Sequence, residues 1–266
     1  MRLTHAIAAG LLSLASTPAS ADAPAQAILW KGSRNKAEAE ARKATGSTLE
    51  AFLRKAGLSL PEGYPRLIES KTLPGLKPGF WVWLLGLCEP EAAPSILGPI
   101  KRLAPETYAR AVRIPTEQLA CPQQEGAPLE TRKLTLKRPS GATLRVFTRD
   151  ETTTPDPEHP NLRLTRTRYF FTLIGANGAV LDSKDLPGDE RFNGAPAPGF
   201  ESPRCDVTRL SATGKDTLSF IRHCTTATTE CGALASLDER TVVTVEGDTV
   251  VPGVTERANE EDLTCH

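Results

Sequence analysis

The sequence predicts an α+β protein of two domains: a sheet-and-helix domain over residues 22–126, then an all-β antiparallel sandwich or barrel-like domain over residues 127–266. Three observations carry this. The longest apolar run beyond the start of the chain, Phe80-Trp-Val-Trp-Leu-Leu-Gly-Leu-Cys88, follows the turn pair Pro78-Gly79 and precedes an acidic, proline-punctuated helix start, which marks a buried strand. Helical spacing of apolar residues flanks that strand on both sides. Beyond a proline- and glutamine-bearing linker at 115–130, only short alternating runs separated by turn residues remain.

Residues 1–21 read as a cleaved secretory signal, with Arg2, an apolar centre from Ala6 to Ala15 and the small-residue exit Ala19-Ser20-Ala21. The expected location is therefore periplasmic or secreted. No later apolar run approaches the roughly 20 residues that span a bilayer, so no membrane span is expected. Basic and acidic residues balance at 32 each, which gives no reason to expect a nucleic-acid partner. In an exported chain the six cysteines read as disulfides. Cys88 and Cys121 lie in the first half and Cys205, Cys224, Cys231 and Cys265 in the second, so separately folding domains would pair them as one bridge plus two.

In the first domain, Ala27–Lys31 is a short strand, and Asn35 with Glu38 forms a capping box opening a helix that Thr45-Gly46 ends. Ser47 with Glu50 repeats the device for an amphipathic helix closed by Gly57. Prolines and glycines then leave only Arg66–Ser70 as an edge strand. After the apolar strand, 89–103 is a helix that Pro99 should kink or divide, and Thr107–Ile114 is a closing strand.

Phe80-Trp-Val-Trp-Leu-Leu-Gly86, followed by Glu91-Ala-Ala93, Leu103 and Tyr108-Ala-Arg-Ala-Val112, resembles the second half-repeat of the SPOR domain: a strand ending in glycine, an alanine-bearing helix and a closing strand. Ile28-Leu-Trp-Lys-Gly32 with Asn35-Lys-Ala-Glu-Ala39 resembles the first. The resemblance covers roughly residues 25–115 and departs from the family in an extra helix, a Pro/Gly-rich insertion, Trp30 at a usually polar position and a proline-bearing helix. It implies a ferredoxin-like sheet-and-helix module of the bacterial envelope that binds peptidoglycan glycan strands lacking stem peptides.

In the second domain Pro139-Ser-Gly141 marks one hairpin and Asn177-Gly178 another, the latter requiring positive φ at both central residues. Polar loops are expected over 150–161 and 187–203. If Gly214-Lys215 is a two-residue turn, counting outward sets Cys205 opposite Cys224 at a hydrogen-bonded position, with Cα atoms about 5.5 Å apart. The expected bridges are Cys88–Cys121, Cys205–Cys224 and, by elimination, Cys231–Cys265. A last hairpin turns at Glu246-Gly-Asp248.

No phosphate loop, dinucleotide fingerprint, serine elbow or zinc-protease helix occurs, and no histidine stands beside an evident nucleophile, so no catalytic residue and no cofactor is expected. The spacing Cys224-x6-Cys231 is wider than that of structural zinc sites, so no metal is expected. The better signal is aromatic: alternation puts Trp81, Trp83, Leu85 and Leu87 on one strand face and Phe80, Val82, Leu84 and Gly86 on the other. If Trp81 and Trp83 face solvent they are a ligand-binding pair for sugar rings, with Arg110 supplying polar contact should it share their face. If they are core, the protein is a structural or interaction protein contacting a partner through the loops of the β domain. A hydrolase acting through carboxylates alone is a third, weaker alternative.

Overall fold

The computed structural model describes residues 22–155, 157, 158, 160–193, 202–228 and 232–262. The predicted signal 1–21 and the pair Cys231–Cys265 therefore lie outside the described residues. The first half contains β1 (Asp22–Ser33), α1 (Lys36–Glu40), α2 (Lys43–Lys55), β2 (Leu58–Ser59), β3 (Arg66–Glu69), β4 (Trp81–Cys88), α3 (Ala93–Leu103), β5 (Thr107–Pro115) and β6 (Gln123–Gln124). Four strands form an antiparallel sheet in the order β3-β4-β1-β5, with the apolar β4 and β1 at its centre.

Local chemistry explains where the helices depart from expectation. The Asn35 side chain accepts from the backbone of Ala37 and Glu38, as a cap should, but Glu38 bonds the Ser33 hydroxyl instead of completing a box. The break falls at Ala41–Arg42 rather than at Thr45-Gly46. Helix α2 runs through Gly46 because it lies against Trp30: a Cβ there would meet the indole at 3.2 Å. Ser47 and Thr48 bond back to the carbonyls of Lys43 and Ala44, so neither caps. Helix α3 is not divided at Pro99; Pro94 sits in its first turn and Pro99 is buried on its core-facing side.

The alternation of β4 is broken once. Gly86 pairs with Ile28 and Leu84 with Leu29, which leaves Leu85 as an extra residue in a bulge. Beyond it the phase reverses, and Leu87 lies with Leu84 and Val82 rather than with Trp83.

The second half is all β. Strands β7 (Glu130–Lys137), β8 (Thr143–Thr153), β9 (Arg163–Ile174), β10 (Val180–Asn193), β11 (Ser202–Ala212), β12 (Thr217–Thr228), β13 (Gly232–Glu246) and β14 (Thr249–Pro252) follow one another as an antiparallel meander, each bonded to the next. A further strand, β15 (Glu256–Asp262), pairs with β13 and had no counterpart in the sequence reading. Rather than two sandwiched sheets, this is one sheet curled upon itself: Leu144, Val146 and Phe171 meet Leu218, Phe220, Val243 and Val250 in a single core. Arg138 bonds Asp216, and Asp182 accepts from the Val250 backbone, across the curl.

Strands occupy much of the expected loops, since β8 continues to Thr153 and β10 to Asn193. At the second hairpin only Gly178 has positive φ; the turn is closed by Gly178 N–H to Gly175 and by the Asn177 side chain accepting from Ala179, so the two-residue form is not adopted. Cys205 does pair with Cys224, by two offsetting departures. Thr213 bonds Thr217, one residue further round than a Gly214-Lys215 turn requires, and a bulge between Val207 and Arg209 restores the register. The Cα atoms are 4.1 Å apart, the close-approach spacing rather than the hydrogen-bonded one. Cys88–Cys121 forms as well.

A second core joins the two halves. Trp30, Phe52, Leu53 and Ile100 share it with Phe147, Phe170, Ile174 and Val180, and Phe52 meets the rings of Phe147 and Phe170 at 6.3 and 6.1 Å. The segment 115–130 is pinned between them by reciprocal backbone bonds of Leu87 with Ala120, by the disulfide, by β6 against β2 and by buried Leu129.

Candidate functional site

The two faces of the four-stranded sheet are covered differently. On one lie the helices. Trp83 belongs there, 6% exposed, with its indole N–H donating to the Ala39 carbonyl at 2.9 Å. Trp81 shares that face, half-buried, with the Lys36 ammonium 4.9 Å from its ring. The two rings thus lie on one side as alternation requires, but it is the covered side, and they form no exposed pair. Arg110 pairs with Ala27 and sits on the opposite face, so the structure does not bring it to the tryptophans. Large apolar rings next to a helix layer gain more from burial than from solvent, which decides their place.

The other face is roofed by Ser70–Phe80 and by the neighbouring Leu119 and Tyr64. This segment has two Pro-Gly pairs and cannot pack as a helix does. It reaches β5, where the Arg113 N–H bonds the Pro74 carbonyl at 3.1 Å. Gly75 permits the approach: its φ is +107°, and a Cβ there would come within 2.6 Å of the Ala111 carbonyl. Between roof and sheet remains a cleft of about 540 Å³. Leu29 and Val82 are its floor, Tyr108 and Phe80 stand half-buried in its walls, and Arg110 and Lys77 lie exposed at its rim.

Two guanidinium groups stack on those rings, Arg110 5.0 Å from the centre of Tyr108 and Arg34 5.4 Å from that of Phe80. The site therefore combines flat apolar surface with three cations and no facing carboxylate among its lining residues. Such a cleft suits a ligand with an apolar ring face, polar edges and negative charge. Sequence reasoning assigned Phe80 and Val82 to the right face but attached the aromatic signal to Trp81 and Trp83. The sequence signal for this cleft is the Pro/Gly-rich stretch before β4, which roofs the face without closing over it.

The histidine–carboxylate pair of the second half serves a different end. His223 Nδ1 is 2.9 Å from Asp238, which also accepts from Asn259; these hydrogen bonds, Asn259 first, hold the Asp238 carboxyl below its usual range. His223 is exposed and Asp238 half-buried on neighbouring strands, and no hydroxyl or thiol bonds either group among the described residues. No protein-family model, curated protein or solved structure matches the chain.

Proposed function

We propose that this is a non-catalytic envelope protein that binds peptidoglycan glycan strands through the cleft between β1, β5 and the Ser70–Phe80 roof. The observation carrying the reading is the cleft itself: apolar floor, two aromatic walls and a cationic rim on the loop-roofed face of a four-stranded sheet. Among the strands of the four-stranded sheet the order is β-α-α-β-β-α-β with β1 and β4 central, which supports the SPOR-like resemblance apart from the extra helix, and that resemblance implies glycan contact on the sheet. The chemistry supports it too. Sugar rings stack on aromatic surface, and a glycan stripped of its stem peptides carries a free carboxylate on each lactyl group, matching Arg110, Lys77 and Arg34. Two disulfides suit an oxidising compartment, in keeping with a periplasmic or secreted location.

Co-sedimentation of the purified protein with intact sacculi and with sacculi whose stem peptides have been removed by an amidase tests this. Enrichment on the stripped polymer is the expected outcome. Equal absence from both pellets would refute it, leaving the β-domain loops and a protein partner as the remaining reading.

A further inference from the structure

The curled meander holds a second cavity, independent of the cleft. Along β8 and β9 the core-facing residues are apolar at one end, Val146 and Phe171, and become polar at the other, where Thr148 pairs with Tyr169 and Asp150 with Thr167. Small barrels ordinarily fill such interiors with side chains. Here they leave a space of roughly 300 Å³ at the mouth of the curl, the usual position for a small-molecule site. Thr148 and Thr167 are buried at its floor; Arg132 of β7 and Asp150 stand exposed at its rim.

Two of the other charges there, Asp189 and Arg191, are already engaged, whereas the exposed Glu130 side chain has no hydrogen bond or ion pair among the described residues. Asp189 accepts from the Val207 backbone at 2.7 Å and from the Tyr169 hydroxyl at 3.1 Å, and Arg191 bonds Asp206 at 2.6 Å. With Glu130, two further groups keep free valences. One oxygen of Asp150 takes the Thr167 hydroxyl at 2.6 Å, and the other has no partner among the described residues. Arg132 reaches the Tyr169 hydroxyl with one nitrogen at 3.2 Å and holds that nitrogen 4.0 Å from Asp189, leaving the N–H donors of its other nitrogens unused. Its guanidinium also lies 5.4 Å from the Tyr169 ring centre, and none of the lining residues is aromatic, so they offer a sugar no ring face to stack on.

We infer that this cavity binds a small zwitterion, a free amino acid or dipeptide, with Asp150 taking the ammonium group and Arg132 the carboxylate. Unpaired carboxylate oxygens on Asp150 and Glu130 and unused guanidinium donors on Arg132, facing one small space, each pair most strongly with a charged group of opposite sign. The Thr148 and Thr167 hydroxyls supply the neutral hydrogen bonds between them.

The test is a thermal-shift and calorimetric titration of the full chain with L-alanine and L-alanyl-L-alanine, alongside N-acetyl-L-alanine, L-alaninamide and glucose. At least one zwitterion should raise the melting temperature and give a saturable heat. The two singly charged analogues should bind about tenfold or more weakly, as loss of one charge-assisted contact requires. Asp150→Asn and Arg132→Gln should abolish the response to the zwitterion, whereas Tyr108→Ala, in the glycan cleft, should leave it intact. Equal binding of the acetylated or amidated analogue, binding of glucose alone, or no response to either zwitterion would overturn the inference. The ligand series decides it even if a variant fails to fold.

Discussion

The same strand, β4, presents two faces with opposite fates. On the helix side Trp83 is locked against α1 within a core that continues through Phe52 to Phe147 and Phe170. On the far side Val82 and Leu84 are covered by a loop, and the cover leaves a cleft. Both faces are equally apolar in sequence, so hydrophobicity alone does not distinguish a core from a site. What distinguishes them is the cover: an amphipathic helix interdigitates with a sheet, whereas a segment fixed by Pro74-Gly75 and Pro78-Gly79 touches at β5 and bridges the remainder.

Substitutions in β4 and its neighbours separate the two faces. Trp83→Ala should be the most damaging, costing about 3–5 kcal/mol in a denaturant melt because it opens a cavity and removes the buried indole bond to the Ala39 carbonyl. A loss below about 1 kcal/mol would mean that the helix side is as loosely packed as the cleft. Replacing Cys88 and Cys121 by serine should cost about 2–4 kcal/mol while leaving glycan binding unchanged, since that bridge ties the linker to the helix-side face. Gly75→Val should cost more than about 1 kcal/mol through its positive φ, and should weaken glycan binding beyond what the stability loss explains by lifting the roof from Ala111. Trp81→Ala, at the half-buried end of the strand, should fall near about 1 kcal/mol or less.

The smallest effect lies in the meander and serves as a control on its packing. Burial, and then the neighbouring Asp189 carboxylate, push the Tyr169 phenol up to about 12 from an ordinary 10.0. A folded-state value raised in this way favours the protonated form, so the stability it contributes is complete below pH 10 and is lost as pH rises towards 12. Tyrosinate absorbance should show a late-titrating phenol that Tyr169→Phe removes. Titration of all three tyrosines near 10 would contradict the enclosure of Tyr169.

Much of this fold was legible because its signals are local. The apolar run of β4, the edge strand β3 and the hairpins around Gly141 and Gly214 all follow from spacing and turn chemistry over a few residues. Non-local effects were less visible. The Leu85 bulge depends on how β4 registers against β1, and it moved Leu87 to the other face. The passage of α2 through Gly46 depends on where the Trp30 ring lies. Curling of the meander depends on contacts between β8–β9 and β12–β14 that no single strand announces. For the site, periodicity divided the faces of β4 as far as the bulge, but covering is a tertiary property, and Arg110, expected beside the tryptophans only if it shared their face, lies on the other.

The central claim is that binding resides on the loop-roofed face and not with the tryptophans. The direct measurement is the affinity of stripped glycan strands for the wild type, for Tyr108→Ala with Arg110→Ala, and for Trp81→Ala, each shown to be folded by circular dichroism. The cleft variant should lose binding while Trp81→Ala retains it. Retention by the cleft variant together with loss in Trp81→Ala would contradict the account.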